Sequence, residues 1–184
     1  IIEGETGPAY EGHLDRFRRT AVWLPNNYIL ILDDVRPTQT VTEPITWRGV
    51  VPDGRFVEPE TGSAQVVTPS GSEVLFQFIA NLPATAALDE WFLPGRWGHQ
   101  LLRQFQLSVE PAPARLATLI DPWNHGATMT YEQSDDTVTL TVQAGSATDV
   151  WVWKAAPDNK TPSSLIGTRN GEPLIALTAT DLAP

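Results

Sequence analysis

The sequence contains no cysteine, which excludes disulfide bonds, a thiolate nucleophile and a cysteine-ligated zinc site. A large core does not need disulfides, so their absence is compatible with an oxidising or a reducing compartment. The sequence also lacks an apolar run that approaches the roughly 18 residues of a membrane-spanning helix. We therefore expect no membrane partner.

Basic residues are few: 12 Lys and Arg stand against 22 Asp and Glu, and the formal net charge is −10. Binding of nucleic-acid phosphates requires a basic face, so nucleic acid is excluded as the main partner. The positive charge is unevenly distributed, however. Half of the basic residues fall in the first 55 positions, at Arg16, Arg18, Arg19, Arg36, Arg48 and Arg55.

The length of 184 residues fits one large domain, which buries roughly 70% of the surface that the unfolded chain exposes. The 16 prolines and 13 glycines, with frequent Val, Ile and Thr, favour short strands joined by turns. The chain opens with Ile-Ile-Glu, without an initiating Met or a signal peptide. We expect a single domain over residues 1–184 that is part of a longer protein.

Twelve segments have the composition and flanking turn residues of β-strands. The first two are predicted to pair around Pro25-Asn26-Asn27, and Ser134-Asp135-Asp136 and Asn170-Gly171 mark two further hairpins. The pattern predicts an all-β fold, an antiparallel two-layer β-sandwich of roughly twelve strands that is supersandwich-like. The predicted strands are residues 16–24, 28–33, 45–51, 63–68, 73–79, 100–109, 115–120, 128–132, 137–143, 150–155, 168–170 and 173–178.

Three segments depart from a simple strand pattern. Residues 84–92 are predicted to form a short helix, within a long connection over residues 82–99 that is typical of a lid, a binding loop or a contact with another domain. A slip in the alternation of residues 100–109 indicates a β-bulge, and residues 51–62 are predicted to be a turn-rich connection.

The three histidines, His13, His99 and His125, lie far apart and have no metal-ligand spacing. His13 together with Asp33 or Asp34 is compatible with a zinc or manganese site. Alternatively, His13 lies in a loop and the two aspartates cap a turn. A GxSxG nucleophile elbow and a phosphate-binding glycine loop are absent from the sequence, so spacing alone names no reaction.

Arginine and tryptophan are the residue types that suggest a ligand. On a strand, Arg16 and Arg18 share one face, and their planar guanidinium groups suit the carboxylate or sulfate of an acidic sugar or an acidic partner domain. The alternative is a solvated face that aids solubility. Trp faces stack well on sugar rings, although core packing is the alternative for each of them. Tryptophans in or near predicted loops are Trp47, Trp97 and Trp123.

Several segments resemble the C-terminal β-sandwich of heparinase II/III-like proteins and of related alginate and chondroitin lyases. The resemblance starts with the hairpin RTAVWLPNNYILILDDVRP and includes the Trp47-Arg48 segment. It continues through GSEVLFQFIANLP, LLRQFQLSV, ARLATLIDP and the closing strands around Asn170-Gly171. These pieces occur in the same order and cover most of the chain.

The resemblance implies β-elimination of a uronic-acid-containing polysaccharide such as a glycosaminoglycan or alginate, in a periplasmic or secreted setting. In that family an N-terminal helical toroid, absent from these residues, supplies most of the cleft. The sandwich adds a His and, in some members, a divalent metal. Here the position of that His falls on Phe17 or Arg16, Asp33 or Asp34 matches the Asp, and a later His expected at residues 47–51 is absent. We therefore transfer no metal or other cofactor.

Three hypotheses follow for function. In the first, the chain is the sandwich of a lyase, inactive by itself and partnered by a helical domain of the same polypeptide. Its site residues would be His13 as acid or base, Arg16, Arg18 and Arg48 as carboxylate contacts, and Trp47 as a platform. In the second, it is a non-catalytic carbohydrate-binding or structural accessory sandwich. In the third, it is an independent enzyme, with a dense pocket that joins Tyr10, His13 and Asp33.

Overall fold

The computed structural model describes the backbone of residues 1–52, 55–60, 62–95 and 98–177. Within these ranges the regular structure is a 3-10 helix, Gly7–Tyr10, and fifteen strands. The strands are β1 (Ile2–Glu5), β2 (Leu14–Leu24), β3 (Tyr28–Pro37), β4 (Ile45–Pro52), β5 (Arg55–Glu60), β6 (Ser63–Val67), β7 (Glu73–Ala80), β8 (Ala84–Gly95), β9 (Gly98–Val109), β10 (Ala114–Asp121), β11 (Thr128–Ser134), β12 (Thr137–Ala144), β13 (Ala147–Lys154), β14 (Ser164–Arg169) and β15 (Glu172–Leu177). The described residues include no helix that is long and apolar enough to cross a membrane.

The strands form three sheets, and every strand pair that the structure describes is antiparallel. One sheet has seven strands in the order β1-β2-β3-β10-β7-β6-β5. The second is a five-stranded meander, β11 to β15, and the third has the order β4-β9-β8. The all-β antiparallel sandwich predicted from the sequence is confirmed, and the described residues contain more strands than expected.

The predicted hairpins are confirmed, and each turn has a residue in the left-handed conformation. Asn26 has φ 60° between β2 and β3, Asp135 has φ 50° between β11 and β12, and Asn170 has φ 51° before Gly171 at 87°. Asn, Asp and Gly tolerate this conformation better than other residues, because short polar side chains or a missing Cβ reduce the steric cost.

The first core lies between the seven-stranded and the five-stranded sheets. Val22 and Leu30 of the larger sheet belong to the same buried cluster as Trp151 and Trp153 of the smaller one. The two tryptophans are 0% and 1% exposed, whereas Val152 between them is exposed. The strand predicted for residues 150–155 is therefore confirmed, and its side chains alternate with the indoles pointing inward.

The second core lies on the opposite face of the seven-stranded sheet. There Val35, Phe78 and Leu116 form a buried cluster with Phe105 and Leu107 of β9. Phe78 stacks on Phe105 with ring centroids 4.5 Å apart. The three-stranded sheet thus adds a layer to the two that form the main sandwich.

The helix predicted for residues 84–92 is wrong, because β8 pairs with β9 from Ala84 opposite Val109 to Gly95 opposite Gly98. Ala84 and Ala86 pack toward the second core, whereas Thr85 is exposed, which is the period of a strand. Alanine has a high intrinsic helix propensity, and pairing with β9 overrides it. The long connection is likewise an extended hairpin, although residues 96 and 97 of that prediction lie outside the described residues.

The predicted bulge in residues 100–109 is also wrong, because β9 keeps a continuous register with both β4 and β8. In the sequence the slip is the apolar Leu102, which shares the strand phase of Gln104 and Gln106; Gln104 itself is buried although it is polar. Gln104 Nε2 donates to Asp89 Oδ2 at 2.8 Å, and this bond offsets the cost of burial. The sequence also missed β5, which lies within the predicted turn-rich connection.

Candidate functional site

A cavity of about 450 Å³ opens at the end of the seven-stranded sheet where β2 begins and β3 ends. It lies on the sheet face that carries the second core. Its lining includes Arg19, Asp33 and Leu116 on the sheet, Tyr10 and His13 on the segment before β2, and Glu43, Trp47 and Arg48 around the start of β4. The topology therefore brings together residues from separate parts of the sequence.

A side-chain hydrogen bond, a backbone hydrogen bond and a ring contact hold the segment that carries Tyr10 and His13. Glu5 Oε1 accepts the backbone N–H of Phe17 at 3.0 Å, and Thr38 N donates to His13 O at 2.9 Å. The Tyr10 ring meets the Phe17 ring edge-on, with centroids 5.7 Å apart. These contacts place both side chains at the rim of the cavity, where both are exposed.

A bidentate ion pair lies on the floor of the cavity. Arg19 Nε donates to Asp33 Oδ1 at 2.7 Å, and Arg19 Nη2 donates to Asp33 Oδ2 at 2.8 Å. Burial raises the pKa of the Asp33 carboxyl and the Arg19 guanidinium offsets part of that rise, while the hydrogen bonds to Asp33 raise the pKa of Arg19. Asp34, the next residue, points to the opposite face of the sheet, as expected for adjacent strand positions.

Tyr10, His13 and Asp33 line one cavity, which is the grouping expected of an independent enzyme. The Asp33 carboxylate, however, has both oxygens engaged by Arg19 and is therefore not free to act as a base or to orient His13. Among the described lining residues, no hydrogen bond joins a nucleophile to a base. The cavity thus offers a binding site with two proton-carrying side chains, rather than an assembled catalytic pair.

Arg16 and Arg18 do not reach this cavity. Arg16 is 1% exposed, and its Nη1 donates at 2.7 Å both to Asp34 Oδ2 and to Ala156 O. Arg18 is 3% exposed and donates to Thr161 O. The connection between β13 and β14 covers this face of β2, so the arginines are neither ligand contacts nor a solvated face. Their role is to hold that connection on the sheet.

Trp47 and Arg48 both line the cavity but present different surfaces to it. The Trp47 ring meets Phe78 edge-on at 5.1 Å and is partly buried against the second core. A Cβ at Gly49 would lie 2.9 Å from Trp47 Cζ3, so the glycine makes room for the ring. Arg48 is exposed and has no ion pair within the described ranges. It is therefore a cation available to a ligand.

The metal implied by the family resemblance does not fit these residues. The described part of the chain contains no group of three or more His, Cys, Asp or Glu side chains that could hold a metal ion. The resemblance would need one imidazole at Phe17 or Arg16 and another within residues 47–51, where the sequence has no His, and Arg19 takes both oxygens of Asp33. We derive no step that depends on a metal here.

Comparison with known proteins finds a similarity of fold to a solved structure. No family model matches the sequence, and no curated protein matches it. The fold is similar to part of heparinase III, with a TM-score of 0.58 over 82% of this chain and 11% sequence identity. The match covers 25% of heparinase III, so this chain spans about a quarter of that protein. At this identity the comparison shows a related fold.

An apolar area lies beside the cavity on the same face of the seven-stranded sheet. Trp23 is 65% exposed and Ile2 is 76% exposed. Strand pairing places them on one face with partly buried neighbours, because Ile2 faces Ala21 and Trp23 faces Ile29. We call this area the apolar face; it comprises Ile2, Ala21, Trp23, Ile29, Ile31 and Ile120.

The sequence named five residues of this cavity: His13, Trp47 and Arg48 as site residues of a lyase, and Tyr10 and Asp33 with His13 in the hypothesis of an independent enzyme. It missed Arg19 as a member of the site, although the strand period already placed Arg19 on the face opposite Arg16. It also missed Glu43, which had no distinguishing pattern. The alternation of residues along β2 does not reveal which of its two faces is covered, because the covering connection lies more than a hundred positions away in the sequence.

Proposed function

We propose that this chain is the sandwich half of a polysaccharide lyase-like protein and binds an acidic polysaccharide in the cavity. One observation carries the proposal. An exposed cation that has no ion pair among the described side chains, Arg48, and an exposed imidazole, His13, line a cavity on the sheet face that also carries the apolar face. The similarity to part of heparinase III supports the proposal at the level of fold.

The substrate class follows from the charges in the cavity. Arg19 neutralises Asp33. The other charged side chains among the described residues that line the cavity are Arg48, which is positive, and Glu43, which is negative. A uronate carboxylate would pair with the Arg48 guanidinium in a bidentate manner. Trp47 would form the wall against which the sugar lies, although its ring is mostly engaged with the core.

β-Elimination removes the proton at C5, breaks the bond between C4 and the glycosidic oxygen, and forms a C4–C5 double bond. Neutralising the carboxylate stabilises the negative charge that develops beside C5. Arg48 is proposed to supply this neutralisation, and His13 or Tyr10 to carry a proton at the rim. Because the described part of the cavity has no assembled acid–base pair, we propose that a second domain completes the site and that this chain alone is inactive.

The apolar face is the proposed docking surface for that second domain, which would belong to the same polypeptide. Exposed apolar surface costs about 25 cal/mol per Å² relative to burial. Covering a face that includes the exposed Trp23 and Ile2 with another domain would therefore be stabilising. A domain seated there would adjoin the cavity and close it into a cleft. The small share of heparinase III that this fold matches leaves room for such a domain by analogy.

Binding is tested by an NMR titration of the 184-residue chain with a uronate hexasaccharide and with the same hexasaccharide after carboxyl reduction. We expect the uronate to shift signals of His13 and Arg48, and the reduced sugar to shift them far less. Equal responses to both sugars, or uronate shifts confined to another surface, would contradict the proposal.

Domain docking is tested separately by hydroxyl-radical labelling of tryptophans. Trp23 should react in the 184-residue chain and be protected in a longer polypeptide that contains the second domain. Trp123, which is also exposed, is the internal control and should react in both. Equal labelling of Trp23 in the two proteins would rule out the apolar face as the docking surface.

A further inference from the structure

The loop between β10 and β11 carries an exposed pair of aromatic rings that takes no part in the cavity. Trp123 is 45% exposed, and the His125 side chain is exposed beside it. The two ring centroids are 6.0 Å apart, and the ring planes differ by 17°. The loop leaves β10 at Asp121, about 17 Å along the strand from Leu116 of the cavity at the usual strand rise.

Hydrogen bonds to the buried Asp121 and the partly buried Gln77 fix both ends of this loop. Asp121 is 0% exposed; its Oδ1 accepts the N–H of Trp123 at 3.2 Å, and its Oδ2 accepts the N–H of Ala127 at 3.1 Å. Gln77 donates to Ala127 O at 2.9 Å and accepts the N–H of Met129 at 2.8 Å. The rings are therefore held in a preformed arrangement, which lowers the entropy lost when a ligand binds.

Hydrogen-bonding groups border the two rings. Asn124 lies between them in sequence, and its Nδ2 donates to Glu73 Oε2 at 2.8 Å. The same oxygen accepts from Gln65 Nε2 at 2.9 Å. Among the side chains that the structure describes, Glu73 has no ion-pair partner. This border accepts hydroxyl groups and repels carboxylates.

We propose that Trp123 and His125 form a platform that binds a neutral pyranose of a polysaccharide chain. The face of a pyranose that carries axial C–H bonds packs on the flat, electron-rich indole, while its hydroxyls reach Asn124 and Glu73 at the border. The Glu73 carboxylate at this border repels uronates, so this platform differs from the cavity in ligand charge. Its small apolar area, bordered by polar groups, is far below that of a stable protein interface.

The test is an NMR titration of the 184-residue chain with cellohexaose, mannohexaose and a uronate hexasaccharide. We expect at least one neutral hexasaccharide to shift the Trp123 indole and His125 signals with Kd of about 1 mM, a weak affinity that fits a single exposed platform. Trp123→Ala should weaken binding at least tenfold, and His125→Ala several-fold. Trp23→Ala, which removes another strongly exposed indole, is the matched control and should leave the affinity unchanged.

The outcomes are separable from those for the cavity, since different residues report on each site. Trp123→Phe keeps an aromatic face and should retain part of the affinity, which separates loss of the platform from loss of the fold. The proposal is overturned if neither neutral hexasaccharide shifts these signals at about 20 mM, well above the expected Kd. It is also overturned if the uronate shifts them as strongly, or if Trp123→Ala binds like the unmodified protein.

Discussion

Arg19 and Asp33 lie directly opposite each other on β2 and β3 and are joined by two hydrogen bonds, at 2.7 Å and 2.8 Å. The carboxylate is 1% exposed, whereas the Arg19 side chain is 42% exposed toward the cavity. The pair therefore satisfies a buried acid with a cation that also faces a ligand. It makes the cavity floor both rigid and nearly neutral.

Removing Arg19 should be costly for stability. Arg19→Ala leaves the Asp33 carboxylate buried without its partner. We expect a loss of about 2–3 kcal/mol in the free energy of unfolding. This loss is smaller than for a fully buried pair because Arg19 is partly exposed to solvent. Urea denaturation measures this change. Arg36→Ala is the matched control, since the partly exposed Arg36 lies 3.6 Å from Asp34 and its loss leaves that buried carboxylate paired with Arg16, and it should cost less than about 1 kcal/mol. Equal effects of the two changes would show that the Arg19–Asp33 pair is not specially stabilising.

The stability of the first core should also depend on the hydroxyl group of Tyr28, which lies in a buried chain of hydrogen bonds. Trp151 Nε1 donates to Tyr28 Oη at 2.8 Å, and Tyr28 Oη donates to Asp149 Oδ2 at 2.7 Å. Tyr28→Phe leaves the indole N–H without an acceptor and should cost about 1–3 kcal/mol. In Tyr131→Phe the lost bond is to Gln133 at the surface, so we expect a loss below about 1 kcal/mol. Denaturation of both variants tests the difference, and a neutral Tyr28→Phe would contradict it.

The same tyrosine predicts how stability responds to alkali. Burial, and then the hydrogen bond to Asp149, raise the pKa of Tyr28 above its ordinary value in the folded protein. The folded state therefore favours the protonated phenol. This preference contributes to the free energy of unfolding, fully below about pH 10 and less as the pH rises further. Above that pH, the free energy of unfolding of the unmodified protein should fall by about 1.4 kcal/mol per pH unit more than that of Tyr28→Phe. Unfolding curves at pH values from about 9 to 12 test this; parallel pH profiles would contradict it.

Close packing at Gly167 gives a test of the first core by itself. A Cβ at this position would lie 2.3 Å from Trp151 Cζ3 and 2.7 Å from its Cε3. The buried indole cannot move aside easily, so Gly167→Ala should cost about 1–3 kcal/mol. Gly4→Ala is the control, since a Cβ there meets nothing within 4 Å. Thermal unfolding of the two variants gives the comparison, and equal midpoints would refute the steric account.

Strand pattern and turn chemistry were sufficient to predict most of the fold, because each strand period and each Asn or Gly turn is a local property. Residues 84–92 were mistaken for helix since their local propensity opposes the pairing that β9 imposes. The burial of Arg16 depends on Ala156, which is 140 positions away, so no local pattern could reveal it. His13, Trp47 and Arg48 were chosen for their chemistry, and the topology places all three on one cavity.

The most direct measurement of the central claim is the ratio of affinities for a uronate hexasaccharide and its carboxyl-reduced form. We expect the unmodified 184-residue chain to prefer the uronate by about tenfold, a difference of about 1.4 kcal/mol that fits one exposed guanidinium–carboxylate pair. Arg48→Ala should abolish the preference, while Lys154→Ala, an equal change of charge on the five-stranded sheet, should preserve it. An unmodified chain without a preference, or a preference that survives Arg48→Ala, would contradict the account.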